Sequence, residues 1–244
     1  MKNILDESAC PYEKLYGRPR FVCDWIPRQE VDGKSILNVG CGYGWFERFV
    51  TEYRSPLRVV GVEPSETDLS TARRSLADLP VELIVASGLR IPLPAESFDT
   101  CLCTEVIEHI PRGTEPQLLR EIHRVLKPGG KCYLTTPSAA IVSKFTDPAF
   151  YLTAHRHYSE PQLAAFVAAA GFELCSAVQK GKLAELLFLY NLYISKWIFR
   201  RGPFAEQWLA EWVNREYQEE GGFMGLFCVL KKVAGEESQS RRSP

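Results

Sequence analysis

Apolar and polar positions along the chain follow two periods, which predict strands and helices in alternation. Short apolar runs bounded by glycine, proline or polar residues are typical of buried strands. Seven such runs occur, at residues 36–39, 59–62, 81–85, 98–104, 131–136, 172–178 and 223–231. Between them, apolar residues spaced three and four apart predict helices beginning after Gly44 and at Ser65, Glu115 and Ser159. This alternation is typical of an α/β protein with a mostly parallel sheet.

A glycine-rich turn, NVGCGYG at residues 38–44, joins the first strand to the first of these helices. Glycine allows a sharp turn after a strand and a close approach of a ligand to the backbone. The next strand ends at Glu63, whose carboxylate can accept hydrogen bonds from two ribose hydroxyls. The segment therefore predicts a nucleotide-binding site. A dinucleotide fingerprint needs its third glycine at the position of Trp45, so an NAD(P)-dependent oxidoreductase is a weaker alternative.

Three ordered segments resemble the class I S-adenosylmethionine-dependent methyltransferases. They are the glycine turn with Glu63, GLRIPLPAESFDTCLCTEVIEHIP at 88–111, and LLREIHRVLKPGGKCYLTTPS at 118–138. The likeness covers residues 35–178 and is to the small-molecule and quinone-biosynthesis branch, with a methyltransferase type 11 domain. It implies a Rossmann-like sheet of seven strands, mostly parallel with the last strand antiparallel, with helices on both faces. It also implies S-adenosyl-L-methionine as the cofactor.

The resemblance implies a set of cofactor-binding residues at the carboxyl ends of the first four strands. They are Gly40, Cys41, Gly42, Gly44, Glu63, Pro64, Ser87, Gly88, Leu89, Thr104 and Glu105. Two positions depart from the family pattern. Ser87 stands where an acidic residue usually contacts the adenine amino group, and Asn38 stands where aspartate usually supports the glycine loop. Both side chains keep hydrogen-bonding capacity, so we interpret the two changes as tuning of the site.

Candidate catalytic residues follow from the chemistry that the resemblance implies. Methyl transfer from a sulfonium donor is an in-line displacement, so positioning of the reactants can supply much of the catalysis. A hydroxyl acceptor also benefits from a base, and histidine titrates near neutrality. His109, in the segment that the family places beside the methionine half of the cofactor, is the first candidate, and His155 is the second. Structural roles, as a hydrogen-bonded histidine or part of a solvated loop, are the alternatives.

Charge and motifs restrict the methyl acceptor. With 29 basic and 30 acidic residues the net charge is −1, which gives no field to attract nucleic acid. The run Thr104-Glu105-Val106 replaces the Pro-Pro-aromatic signature of enzymes that methylate amino groups of bases or glutamine. Cys101 and Cys103 lack the preceding proline of a cytosine-C5 nucleophile. A small-molecule acceptor is expected, and a non-catalytic S-adenosylmethionine-binding or assembly protein is the alternative.

The cysteines and the N-terminus indicate the compartment. The eight cysteines have none of the spacing of a zinc site, so we expect buried free thiols and no metal. Residues 1–17 carry charges and contain no apolar core of signal-peptide length, which predicts a cytoplasmic protein.

The predicted organisation is one methyltransferase domain, residues 31–233, with additions. Residues 1–30 predict an N-terminal helical extension, with a helix at 12–25 interrupted at Pro19. Because a leading helix often covers the cofactor in this family, Tyr16 and Arg20 are candidates for that role. Residues 234–244 have the composition of a disordered tail.

An insertion is predicted at residues 179–222, because a hairpin between the last two strands needs only a few residues. Its segment 183–199 has the pattern of an amphipathic helix, in which Leu186 and Tyr190 are candidates for a lid over a lipophilic acceptor. A peripheral membrane contact or a dimer contact are the alternatives. The length of the apolar stretch and its two charges disfavour a membrane-spanning helix.

Overall fold

The computed structural model describes residues 11–141, 143 and 156–233. Its strands are β1 (Ser35–Val39), β2 (Arg58–Glu63), β3 (Val81–Val85), β4 (Phe98–Thr104), β5 (Leu126–Pro137), β6 (Phe172–Lys180) and β7 (Gly225–Lys232). They form a single sheet in the order β3-β2-β1-β4-β5-β7-β6. The pairings among β1 to β5 are parallel, whereas β7 lies antiparallel between β5 and β6. The predicted seven-stranded Rossmann-like sheet with its antiparallel last strand is confirmed.

Seven α-helices accompany the sheet in the described part of the chain. They are α1 (Gly17–Trp25), α2 (Trp45–Tyr53), α3 (Glu66–Ser75), α4 (Glu115–Val125), α5 (Glu160–Ala169), α6 (Leu183–Trp197) and α7 (Glu206–Gln218). Two predicted caps are present. The hydroxyl of Ser65 accepts from the N–H of Asp68 at 3.2 Å, and Ser159 forms a capping box with Gln162. Such caps satisfy the free N–H groups of the first helical turn.

The two faces of the sheet carry separate apolar cores, as the prediction of helices on both faces requires. Side chains of successive strand residues point to opposite faces. Leu37 of β1 therefore joins a core completed by α4 and α5, whereas its neighbour Ile36 joins a core completed by α1, α2, α6 and α7. The N-terminal helix and the insertion thus share one face of the sheet.

Two predicted boundaries are wrong, each for a physical reason. Pro19 does not interrupt a helix, because it lies in the first turn of α1, where its missing N–H has no helical partner to lose. The fifth strand, expected at residues 131–136, begins earlier, at Leu126, directly after α4 ends at Val125. Phe98 of β4 pairs with Leu126 and Thr100 with Lys131, so the proline and glycines form an irregularity inside β5.

The insertion is a pair of helices, of which only α6 follows from its sequence pattern. The carboxylate of Glu216 on α7 caps the start of α6, accepting from the N–H groups of Ala184 at 2.7 Å and Glu185 at 3.3 Å. Helix α7 also contacts α1, where the side chain of Asn214 accepts from the N–H of Gly17 at 2.7 Å. The insertion is therefore built into the second core. Within the described ranges, every helix is too short or too polar to cross a membrane.

Candidate functional site

The three glycines of the turn after β1 all have positive φ, but they differ in their surroundings. A Cβ atom at Gly40 would lie 2.3 Å from Cγ2 of Val106, and one at Gly44 would lie 2.5 Å from Cδ1 of Leu76. Both glycines are thus required by packing. A Cβ atom at Gly42 would meet no described atom within 4 Å, although its φ is +51°. The space beside Gly42 is open, which is the arrangement expected where a ligand approaches the backbone.

Glu63 joins the end of β2 to this turn. One carboxylate oxygen accepts from the N–H of Gly42 at 3.1 Å, and the other accepts from the N–H of Ser65 at 2.9 Å. The carboxylate is half-buried, so it is fixed in position and still accessible from the ligand side. A carboxylate held at this point suits the recognition of a ribose.

A buried acid lies beneath the same turn. Glu47 of α2 is fully buried beside the buried Asn38, and burial raises the pKa of its carboxyl to about 7, although the Asn38 side chain opposes this shift. Aspartate at position 38 would place a second carboxylate next to Glu47. The departure of Asn38 from the family pattern therefore has a local electrostatic reason.

A cavity of 230 Å³ lies between the glycine turn, α1 and the end of β4. Its lining residues are Arg18, Pro19, Val22, Gly40, Cys41, Gly42, Tyr43, Trp45, Thr104 and Glu105. Five of the predicted cofactor residues are among them. The cavity also opens at the carboxyl ends of β1 and β4, where open α/β sheets bind their ligands.

The other predicted cofactor residues do not line the cavity. Gly88 is packed so closely that an added Cβ would lie 2.8 Å from side-chain atoms of Val39 and Leu118. Ser87 is exposed, and its hydroxyl accepts from the N–H of Leu89 at 3.2 Å. Pro64 is exposed beside Glu63. These placements leave the predicted adenine and ribose contacts untested.

A partly buried ion-pair cluster, missed in the sequence, adjoins the cavity. The guanidinium of Arg18 on α1 pairs with Glu105 at the end of β4 and, at 3.1 Å, with Glu185 on α6. The hydroxyl of Thr135 also donates to Glu105, at 2.8 Å. Arg18 is thus shared by three parts of the fold. Of the two arginines on α1, Arg18 contacts the cavity, whereas the proposed cover residue Arg20 pairs with Asp24.

Charge and burial act in opposite directions within this cluster. The carboxylates beside Arg18 raise its pKa above the ordinary value despite burial. Burial raises the pKa of the Glu185 carboxyl, against the effect of Arg18. The buried Tyr217 on α7 also has a raised pKa, because of burial and the charge of Glu185. The cluster is therefore a low-dielectric site in which loss of one charge leaves others uncompensated.

The structure describes one of the two predicted catalytic histidines. His109 is exposed in the turn after β4 and is not among the residues lining the cavity. His155 lies outside the described residues. Of the predicted lid residues, Leu186 is half-buried and Tyr190 is 38% exposed, and neither lines the cavity.

The turn that carries Glu105 and His109 is held from below by Arg156. Its guanidinium donates to the carbonyls of Ile107 at 2.8 Å and of Glu108 at 3.1 Å, and it pairs with Glu115 at 2.7 Å. Tyr158, a neighbour in the predicted His155 cluster, donates to Glu115 at 3.1 Å. These residues support the turn and do not form a second reactive group.

The family match covers the segments that form the candidate site. Residues 37–134 match the model of the methyltransferase domain family, which spans β1 to the middle of β5. Those residues include the glycine turn, Glu63 and the turn after β4. This part of the chain is therefore similar to a methyltransferase domain.

Curated relatives named as methyltransferases are similar to part of this chain. It is 36% identical over 103 residues to an uncharacterised methyltransferase of Mycobacterium bovis, covering 42% of this chain and 39% of the relative. A Mycobacterium ulcerans relative is 36% identical over 107 residues, covering 44% and 40%. The chain thus matches about two fifths of the length of these relatives.

Solved structures share the fold over most of the chain. An S-adenosylmethionine-dependent methyltransferase of Mesorhizobium loti superposes with a TM-score of 0.57 at 21% identity, covering 87% of this chain and 96% of that protein. The cyclase SpnF superposes with a TM-score of 0.63 at 22% identity, covering 89% and 81%. At these identities the likeness establishes the fold. Since one neighbour is named a cyclase, the reaction must be argued from the site.

Proposed function

We propose that the protein is an S-adenosylmethionine-dependent methyltransferase whose acceptor is a small, lipophilic molecule. The observation that carries the proposal is the open space beside Gly42 in a turn whose N–H is held by Glu63. Gly40 and Gly44 are needed by packing, so only Gly42 keeps free space for a ligand. The match of residues 37–134 to the methyltransferase domain family supports the same conclusion.

The site residues fit the cofactor by position and charge. Glu63 is available to accept from ribose hydroxyls, and the glycine turn offers backbone groups next to open space. Arg18 lines the cavity, and a ligand carboxylate would bind its guanidinium by replacing one of its two partners, Glu105 or Glu185. S-adenosylmethionine, when bound, supplies an electrophilic methyl group. The protein contributes orientation of the acceptor and exclusion of water, which can account for much of the rate.

The lipophilic character of the acceptor is supported by the cavity and its surroundings. Pro19, Val22 and Trp45 give the side of the cavity next to α1 an apolar surface. With 230 Å³, the cavity is smaller than the roughly 300–1,000 Å³ of typical ligand sites, so a cofactor and an acceptor need α1 or Arg18 to shift. An apolar acceptor would enter along α1, away from the exposed turn of His109.

A transfer assay tests the proposal. The protein is incubated with methyl-labelled S-adenosylmethionine and a cell extract, which is then divided into lipid and aqueous small-molecule fractions. We expect label in the lipid fraction, and no label with Gly42→Ala, which fills the ligand space. Label in protein or nucleic acid would overturn the acceptor class. Binding of the cofactor without any transfer would favour the non-catalytic alternative.

Glu105 is the residue placed to accept a proton if the acceptor is a hydroxyl, because it is the one acidic side chain among those lining the cavity. Glu105→Gln keeps the size of the side chain and removes the proton acceptor. We expect turnover with saturating cofactor to fall roughly a hundredfold or more, beyond any loss of cofactor affinity. His109→Ala is the matched variant, since His109 is exposed, and it should retain turnover. The reverse pattern would restore His109 as the base.

A further inference from the structure

Helix α6 leaves an apolar face without a partner in the described part of the chain. Five side chains at spacings of four and three residues lie on this face, and 38–65% of each is exposed: Leu183, Leu187, Tyr190, Ile194 and Trp197. The opposite face carries Ala184, Phe188 and Ser195, which are buried. The helix is therefore apolar on both sides, although only one side has a core to pack against. An exposed apolar face of this extent marks an interaction site.

The end of α6 and the connection to α7 add aromatic residues and positive charge. Ile198, Phe199, Phe204 and Trp208 are 40–70% exposed there. Residues 196–210 contain Lys196, Arg200 and Arg201 against one carboxylate, Glu206, so three positive charges and one negative give a local charge of +2. The whole chain, in contrast, has a net charge of −1. We define residues 196–208 as the basic aromatic tip.

Within the described ranges, the cations of the tip are not paired with carboxylates. Lys196, Arg200 and Arg201 form no ion pair with another described residue. The guanidinium of Arg201 lies 4.0 Å from the ring centroid of Phe204. Lys182, at the other end of α6, differs in that it pairs with Glu219 at 2.8 Å. Three cations without an ion pair among the described residues thus lie beside the exposed apolar face of α6.

We propose that the exposed face of α6 and the basic aromatic tip dock on an anionic lipid bilayer, with the helix lying in the plane of the interface. An interfacial helix buries an apolar face in the acyl boundary, and Trp side chains favour the headgroup level. Lysine and arginine beside that face are attracted to anionic headgroups. A second copy of the chain could also cover the apolar face. In such a dimer, however, the three cations of each tip would meet a tip that carries only one carboxylate. The charge therefore favours lipid.

The docking face is close to the cavity. Glu185 on the inner side of α6 pairs with Arg18 at 3.1 Å, and Arg18 lines the cavity. A helix with its side chains is about 10 Å thick, so only that distance separates the lipid surface from the ion-pair cluster. If the proposed function is correct, a lipophilic acceptor would pass from the bilayer along α1 into the site. The docking itself does not depend on methyl transfer.

Co-sedimentation of the full chain with vesicles tests the proposal without any cofactor or acceptor. Vesicles of phosphatidylcholine alone are compared with vesicles that also contain phosphatidylserine. The apolar variant is Trp197→Ser with Phe199→Ser, and the charge variant is Arg200→Gln with Arg201→Gln. All four side chains are exposed, so both variants should fold. Matched controls remove the same groups elsewhere, through Leu57→Ser with Val233→Ser and through Arg74→Gln with Arg120→Gln.

We expect binding to the phosphatidylserine vesicles that weakens with added salt. The charge variant should lose roughly fivefold in partitioning for each cation, or about 25-fold in total. The apolar variant should lose binding to both kinds of vesicle, and the controls should bind as the wild type does. The proposal would be overturned if the wild type bound neither kind of vesicle. It would also be overturned if the control variants lost as much binding as the apolar and charge variants. A dimer in light scattering that only the apolar variant dissociates, without vesicle binding, would identify a second copy as the occupant.

Discussion

At the scale of single residues, the three glycines of the turn after β1 give a direct test of which one faces the ligand. Gly42→Ala should lose most S-adenosylmethionine affinity, because its Cβ would project into the open space of the site. The left-handed backbone costs alanine about 1 kcal/mol, so the fold should persist. Calorimetric titration with S-adenosylmethionine and urea unfolding measure the two effects.

Gly40→Ala is the matched control, since it adds the same atom on the packed side of the turn. Its Cβ would lie 2.3 Å from Val106, and overpacking adds about 1–3 kcal/mol to the backbone cost. The predicted result is a larger loss of stability than at Gly42. If Gly42→Ala bound S-adenosylmethionine as the wild type does, the placement of the ligand would be wrong.

Glu47 predicts a pH dependence of stability. Its pKa in the folded protein is about 7 against an ordinary value of 4.5, so between these values the folded state binds a proton that the unfolded state has lost. Stability therefore falls as pH rises through this range, by at most about 3 kcal/mol from this group. Glu47→Gln should remove that loss and unfold at higher urea than the wild type at about pH 8, with little difference at about pH 5.

Glu66→Gln provides the comparison for Glu47, because the Glu66 side chain is 66% exposed on α3. Comparison of the two variants separates the effect of the buried carboxylate from that of removing a glutamate charge at the surface. If Glu47→Gln gained no stability at high pH, the cost of burying the charged Glu47 carboxylate would be offset by other interactions within the fold.

At the scale of elements, Arg18 connects α1, β4 and α6 through one guanidinium. Arg18→Met should destabilise the protein by about 3 kcal/mol, because it leaves Glu185 buried beside Glu105 without a counter-charge. The side chains of Arg18 and Glu185 are 19% and 17% exposed, so solvent screens the pair only partly. Urea unfolding of the purified variant measures the loss.

The double variant Arg18→Met with Glu185→Met separates charge from packing. Methionine can fill both positions without a buried charge, so most of the stability should return. A double variant as unstable as the sum of the two single variants would mean that the ion pair does not couple the elements.

The sequence was informative where local pattern decides the structure. The apolar runs predicted all seven strands, and the serines at 65 and 159 predicted two helix starts, since caps and strand periodicity act over a few residues. The Arg18 cluster could not be predicted in this way. Its residues are separated by up to 167 positions, and only the packing of the insertion against α1 brings them together. Nor did the sequence indicate that α7 would cap α6 through Glu216.

At the scale of the whole molecule, the insertion changes what the methyltransferase domain presents to its surroundings. The matched family model ends at residue 134, before α5, β6 and the insertion. The insertion contributes buried side chains to the same core as α1, including Phe188 and Val213. Its fold is therefore inseparable from that of the cofactor half, and its exposed face is the part free to meet a partner.

If S-adenosylmethionine is the cofactor, its binding should raise the thermal stability of the intact chain. A ligand that binds only the folded state at a hundred times its Kd stabilises it by about 2.7 kcal/mol. For a domain of this size each kcal/mol raises Tm by about 2–4 °C, so S-adenosylmethionine should raise Tm by about 5–10 °C. NADH at equal concentration should give little shift, because Trp45 occupies the position of the third glycine of a dinucleotide turn.

The variant Glu63→Ala tests whether this rise in Tm comes from binding at the candidate site. Loss of hydrogen bonds to a charged group weakens binding by about 1.5–3 kcal/mol, so at the same S-adenosylmethionine concentration the shift should fall to a small fraction. The Tm without ligand must be measured for each variant, since Glu63 also accepts from the N–H groups of Gly42 and Ser65. A larger shift with NADH than with S-adenosylmethionine would favour an oxidoreductase. An undiminished shift in Glu63→Ala would place the ligand away from the end of β2.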